Sequence, residues 1–131
     1  LTHERGHMYR ALIEGIAFGT AHVLETYRDA GVNLTRILAV GGGTKNALWL
    51  QATSDVSQVD QIVCEKTVGA SYGNAFLARV AIGEADIGDI ARWNPLETQI
   101  KATVIPSYTR NYPLFRRLYE QTKDIATLLS E

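Results

Sequence analysis

Cysteine is nearly absent from this sequence: Cys64 is the only one in 131 residues. That excludes a disulfide framework and a cysteine-built zinc ribbon. The lone thiol, within Ile62-Val63-Cys64, reads as a small core residue in a reducing compartment. An excess of one charge is also missing, with 13 Lys and Arg against 14 Asp and Glu and a formal net charge of -1. A nucleic-acid or anionic-membrane surface needs a basic excess, so neither partner is expected. No apolar run reaches membrane length and no signal peptide is apparent, which leads to the expectation of a cytoplasmic protein. The chain starts without methionine, in a polar turn that runs into a helix, as a piece of a longer protein would.

What is present suits a globular domain. Hydrophobic residues make up 46% and charged residues 21%, enough for one compact unit with a real core. From His7 to about Ala30 the apolar residues Met8, Leu12, Ile16, Val23, Leu24 and Tyr27 fall near helical spacing, and Gly31 stands where a C-cap belongs. Gly15 and Gly19 lie inside that helix. Each costs about 1 kcal/mol relative to alanine, so close packing against another element is expected there.

Arg36 to Val40 is a short branched, apolar run ending in three glycines, and reads as a buried strand. Helices are predicted from about Asn46 to Val56 and from about Ala70 to Ile82, with a strand over Gln61 to Cys64 between them. Residues 84 to 108 carry Gly88, Asn94, Pro95 and Pro106, suggesting short helical turns and an extended stretch at Thr103 to Ile105. Tyr112 to Leu129 returns to helix. Short strands alternating with helices predict an α/β unit with a short, mostly parallel sheet. Two or three strands make a thin sheet, again as in part of a larger domain.

The most informative segment is Val40-Gly41-Gly42-Gly43-Thr44-Lys45-Asn46. Three glycines at the carboxyl end of a strand let backbone approach a ligand closely, and the helix that follows offers unpaired N–H groups. Open parallel sheets bind ligands at this end. The segment has neither P-loop nor dinucleotide spacing, so the spacing alone leaves a tight turn and a nucleotide site equally open. Asn46 could cap its helix or reach an adenine or ribose. In the second constellation, Gly69-Ala70-Ser71-Tyr72-Gly73-Asn74-Ala75, the residues Ala70, Gly73 and Leu77 share a helical face. That face is expected to pack against the glycine loop or its helix.

His3-Glu4-Arg5-Gly6-His7 matches the zinc-protease pattern H-E-x-x-H. A third ligand from His22 or Glu25 would sit on the same helix as His7, and a helix cannot fold its own distant turn back onto the metal. A charged, partly solvated helix start is the preferred reading. Glu14 interrupts an apolar face, and the sequence does not decide between a buried partner and an interdomain cleft. No Ser/His/Asp or Cys/His grouping is evident.

Three segments in register resemble the C-terminal portion of the FGGY-family carbohydrate kinases, especially the xylulose-kinase type. They are Thr2-His3-x-Arg5-x-His7-x-x-Arg10-Ala11-x-x-Glu14-Gly15-x-Ala17-Phe18, then Gly41-Gly42-Gly43-Thr44-Lys45-Asn46-x-x-Trp49-x-Gln51-x-x-x-Asp55, then Gly69-Ala70-Ser71-x-Gly73-Asn74-Ala75. Residues 84–131 match more loosely and read as the tail and C-terminal helix of the same domain, so that 1–131 forms one nucleotide-binding portion. The resemblance implies a partial ribonuclease-H-like, actin-like ATPase lobe. It implies transfer of the γ-phosphate of Mg·ATP to a sugar hydroxyl, a pentulose or a related sugar.

By that resemblance this chain supplies the adenosine side through Gly41, Gly42, Gly43, Thr44 and Asn46. It contributes no catalytic residue and no metal ligand. The base is an aspartate from the region preceding this chain, and Mg2+ and the sugar are held mainly by parts outside it. Members often carry a small residue in place of Thr44 and serine in place of Asn46. The chain alone is expected to be inactive, and a homodimer is compatible with the resemblance. Two other readings stand beside it: a non-catalytic α/β interaction module and, more remotely, a zinc hydrolase using His3 and His7.

Overall fold

The computed structural model describes residues 2–129. Helix α1 spans Arg5–Asp29, strand β1 Ile37–Ala39, helix α2 Ala47–Ser57 and strand β2 Gln61–Cys64. Helix α3 follows over Ala70–Ala81, with a short helix α4 at Ile90–Trp93. Strand β3 runs over Leu96–Ile100 and helix α5 over Pro106–Leu128.

The core forms where α1 meets α2. Ile13, Ala17 and Ala21 recur every fourth residue on α1 and are buried. Ile13 and Ala17 pack with Ala52, flanked by Leu48, Trp49 and Val56. Small side chains at this seam let the two helix axes come close. The helices run in the same direction, since Tyr9 meets Asn46 at one end and Arg28 meets the Ser57 carbonyl at the other. Gly15 and Gly19 take no part in the seam: a Cβ on either would meet nothing within 4 Å. The close packing expected around them is absent, because the alanines already provide the approach.

The sheet has the order β1-β2-β3. β1 pairs parallel to β2, with Ile37 opposite Gln61 and Ala39 opposite Val63. β3 pairs antiparallel to β2, with Ile100 opposite Gln61 and Leu96 opposite Cys64. The sheet is therefore mixed rather than mostly parallel, and the third strand lies earlier than the extended stretch expected at Thr103 to Ile105. The reversal has a local cause. Asn94 imitates a backbone partner beyond the end of β2, accepting from Lys66 N at 2.8 Å and donating to Lys66 O at 2.9 Å. The carbonyl of Pro95 accepts from Glu65 N at 3.0 Å. With residues 94 and 95 pinned there, the chain can only run back along β2.

A polar clamp then guides the chain from β3 to α5. Gln51 Nε2 donates to the Lys101 carbonyl at 3.0 Å, and Thr103 N donates to Asp55 Oδ1 at 2.8 Å. Gln58 Nε2 donates to the Thr103 carbonyl at 3.2 Å. Asp55 is buried, and Gln51 Nε2 also reaches its Oδ1 at 2.8 Å.

Helix α5 begins at Pro106, six residues before the predicted start at Tyr112, with Pro113 inside it. A proline at the first helical position gives up an N–H that would have had no intrahelical partner, so Pro106 starts the helix instead of breaking it. Tyr108 of α5 is buried, and Phe18 of α1 meets the rings of Tyr108, Tyr112 and Phe115 at 5.9, 5.8 and 5.5 Å. Helix α3 is anchored through Phe76, whose ring lies 5.4 Å from that of Trp93. Tyr72 OH donates to the Trp93 carbonyl at 2.8 Å. Ala70 and Leu77 are exposed and a Cβ on Gly73 would meet nothing within 4 Å. The expected packing of that face on the glycine loop is therefore not seen, because the aromatic anchor lies on another face. Cys64 is half-buried rather than a core residue.

Candidate functional site

The carboxyl end of β1 opens directly into the three glycines, and each stands there for a different reason. Gly41 has φ 85 and ψ -170, a region that only glycine occupies without strain. Its N–H donates to the Thr67 carbonyl at 2.7 Å, tying this turn to the loop after β2. Gly43 is limited by bulk: a Cβ would lie 3.0 Å from Cζ3 of Trp49. Gly42 meets neither limit. It is exposed, a Cβ would meet nothing within 4 Å, and its φ lies outside the left-handed region.

Residues 42–45 wind into one tight turn. Thr44 closes it, donating to the Gly41 carbonyl from N at 3.2 Å and from Oγ1 at 2.7 Å. Asn46 N donates to the Gly43 carbonyl at 3.0 Å. Asn46 then caps α2, its Oδ1 accepting from Trp49 N at 3.2 Å. The other end of the same amide donates to Tyr9 OH at 2.8 Å. The cap of α2 and the first turns of α1 therefore sit side by side at the carboxyl end of the parallel pair. An open, mainly apolar cleft of about 220 Å³ runs between β1, the turn and α2. Ile37, Ala39, Trp49 and Leu50 line it with Gly43 and Thr44, whereas Gly41, Gly42 and Asn46 lie outside it. The turn itself offers backbone polar groups and a helix dipole end.

All five residues expected at a nucleotide site, Gly41, Gly42, Gly43, Thr44 and Asn46, are thus brought together in one turn. Two further residues shape the turn: Tyr9, bonded to Asn46, and Trp49, against Gly43. Tyr9 precedes Ile13, Ala17 and Ala21 by steps of four, which places it on the face that packs against α2. That periodicity was the available signal. Trp49 supplies the wall beneath Gly43, which its spacing from the glycines alone does not reveal.

The histidine pair is arranged for a helix start. Helix α1 begins at Arg5, so His3 lies outside it. His7 Nδ1 accepts from Glu4 N at 3.1 Å, and the two rings meet edge-on at 5.8 Å. Among the described residues no group of three His, Cys, Asp or Glu side chains could hold a metal ion. Glu14 resolves toward a partner: its Oε1 accepts from Arg10 Nε at 2.7 Å and from Tyr108 OH at 2.9 Å. Burial raises the Tyr108 hydroxyl above its ordinary value, so it remains a donor. The bonds to Glu14 and Tyr108 hold the Arg10 guanidinium still more firmly in its charged form.

Residues 1–82 match the C-terminal domain of the FGGY family of carbohydrate kinases. The chain is 32% identical over 136 residues to xylulose kinase of Bacillus subtilis (strain 168), covering 97% of this chain and 26% of that protein. It is 32% identical over 117 residues to ribulokinase of Shouchella clausii (strain KSM-K16), covering 87% of this chain and 21% of that protein. The crystal structure of xylulose kinase from Rhodospirillum rubrum superposes with a TM-score of 0.76 at 30% identity, over 95% of this chain and 26% of that one. The chain thus spans about a quarter of the length of these relatives. The fold is the expected α/β lobe of an actin-like ATPase, with a mixed sheet. By these matches the chain belongs to the FGGY family of carbohydrate kinases, residues 1–82 corresponding to its C-terminal domain.

Proposed function

We propose that this chain forms the adenosine side of the ATP site in a kinase that phosphorylates a hydroxyl of a pentulose or related sugar, and that it is inactive alone. Gly42 carries the reading. Backbone conformation accounts for Gly41 and the Trp49 wall accounts for Gly43, but nothing within the described structure requires glycine at Gly42. An exposed glycine there leaves room for a flat ring laid against the turn from outside. The turn, the Asn46 cap and the adjoining cleft fit a nucleoside, with Gly41, Gly42, Gly43, Thr44 and Asn46 as the residues that would hold it. ATP would supply the transferred phosphoryl group. Phosphoryl transfer rests on in-line positioning and charge neutralisation, and in this reading Mg2+, the base and the sugar site lie in the rest of a longer protein. Residues 84–131 complete the same domain, a view supported by the pairing of β3 with β2 and by Tyr108 docked on α1. Among the described residues no helix is long and apolar enough to cross a membrane, and we place the kinase in the cytoplasm.

The test is calorimetry on the full-length protein that carries this segment. Gly42→Val should weaken Mg·ATP binding about tenfold or more while sugar affinity stays within about twofold. Unchanged ATP affinity would remove the turn from the site.

A further inference from the structure

We infer that Tyr9 is a positioning residue of the nucleotide site, holding the Asn46 amide in one orientation. The inference rests on the adenosine-side reading above and assigns a role to a residue of α1. A primary amide has one oxygen that accepts and a nitrogen with two hydrogens that donate. Oδ1 of Asn46 is committed to Trp49 N at 3.2 Å, which fixes which end carries the nitrogen. Nδ2 then spends one hydrogen on Tyr9 OH at 2.8 Å. With both ends tied, the amide cannot swing, and its second N–H keeps a set direction.

The phenol oxygen accepts that bond, so its own hydrogen remains free to donate. Tyr9 is 53% exposed and Asn46 is half-buried beside the glycine turn. The remaining N–H of the fixed amide suits a ligand edge with a lone pair, such as a ring nitrogen of adenine or a ribose oxygen.

The experiment compares variants in the full-length kinase. Tyr9→Phe should raise the KM for ATP about 3- to 10-fold. The kcat, the sugar KM and the melting temperature should stay close to those of the parent. Asn46→Ser keeps the helix cap but shortens the side chain beyond reach of the phenol. In that background Tyr9→Phe should change the ATP KM by less than about twofold. An equal effect in both backgrounds would show that Tyr9 acts without Asn46 and would overturn the inference. Gly42→Val, run alongside, separates the two readings. If Gly42→Val raises the ATP KM and Tyr9→Phe does not, only the inference fails; if both are silent, the adenosine-side reading fails with it.

Discussion

Gly43 and Trp49 are closely matched: a Cβ on Gly43 would lie 3.0 Å from Cζ3 and 3.2 Å from Cε3 of the indole, a tight contact. The consequence is a stability effect independent of any ligand. Gly43→Val should destabilise the domain by about 2 kcal/mol through overpacking. Pairing it with Trp49→Leu should reveal a coupling above about 0.5 kcal/mol. Urea unfolding of the four species of that cycle measures it, and strict additivity would dissolve the relationship. Gly42, which meets nothing within 4 Å, is therefore the cleaner probe of nucleotide.

Asp55 is the centre of the clamp on residues 101–103, accepting from Gln51 and from Thr103 N. Asp55→Ala should cost about 2–3 kcal/mol, because a backbone donor and a side-chain amide lose their acceptor. Asp55→Asn, with an oxygen still able to accept, should cost less. Hydrogen exchange at Thr103 should quicken in the alanine variant, and unchanged exchange there would contradict the clamp.

Tyr108 links α5 to α1 through Glu14 and Arg10. Its hydroxyl is raised above 10.0, chiefly by burial, with the bond to Glu14 adding and the bond from Arg10 opposing. A raised folded-state value favours the protonated phenol in the fold. The contribution is therefore complete below the unfolded value of about pH 10 and is lost as pH rises through the folded value. Tyr108→Phe should cost about 1 kcal/mol near neutrality and should make the alkaline fall in stability shallower. Tyr112, also raised by burial, should retain part of that fall. Unfolding curves at neutral and alkaline pH provide the check.

The 131-residue chain by itself should release no ADP in a sugar-dependent way. Mixed with Mg·ATP and a panel of pentoses, hexoses, ketoses and polyols, it should remain at background. Turnover on the order of 1–100 per second would show that a complete active site lies within these residues.

The legible parts of this fold were those set by neighbours in sequence. The run Arg36 to Val40, the three glycines and the apolar residues of Asn46 to Val56 announce a strand, a turn and a helix, and Ile37–Ala39 and Ala47–Ser57 form them. The run expected to be a buried strand, however, leaves Leu38 and Val40 exposed. The turn that gathers Gly41 to Asn46 was legible for the same reason. What stayed hidden depends on distant partners. Leu96–Ile100 becomes a strand because Asn94 locks onto Lys66, 28 residues earlier. Pro106 looked like a break because a proline at the first position of a helix and one ending an extended segment read alike. Gly15 and Gly19 pointed to a crossing that the structure makes with alanines.

The bonds from Arg10 and Glu14 to Tyr108 span 98 and 94 residues of chain, and this sets an order of events during synthesis. At about 5–20 residues per second, some 5–20 seconds separate the emergence of α1 from that of its anchor. For that interval Phe18 has yet to meet the rings of Tyr108, Tyr112 and Phe115 that pack on it in the fold. The aromatic lock between the first helix and α5 is therefore a late, post-α2 step of assembly.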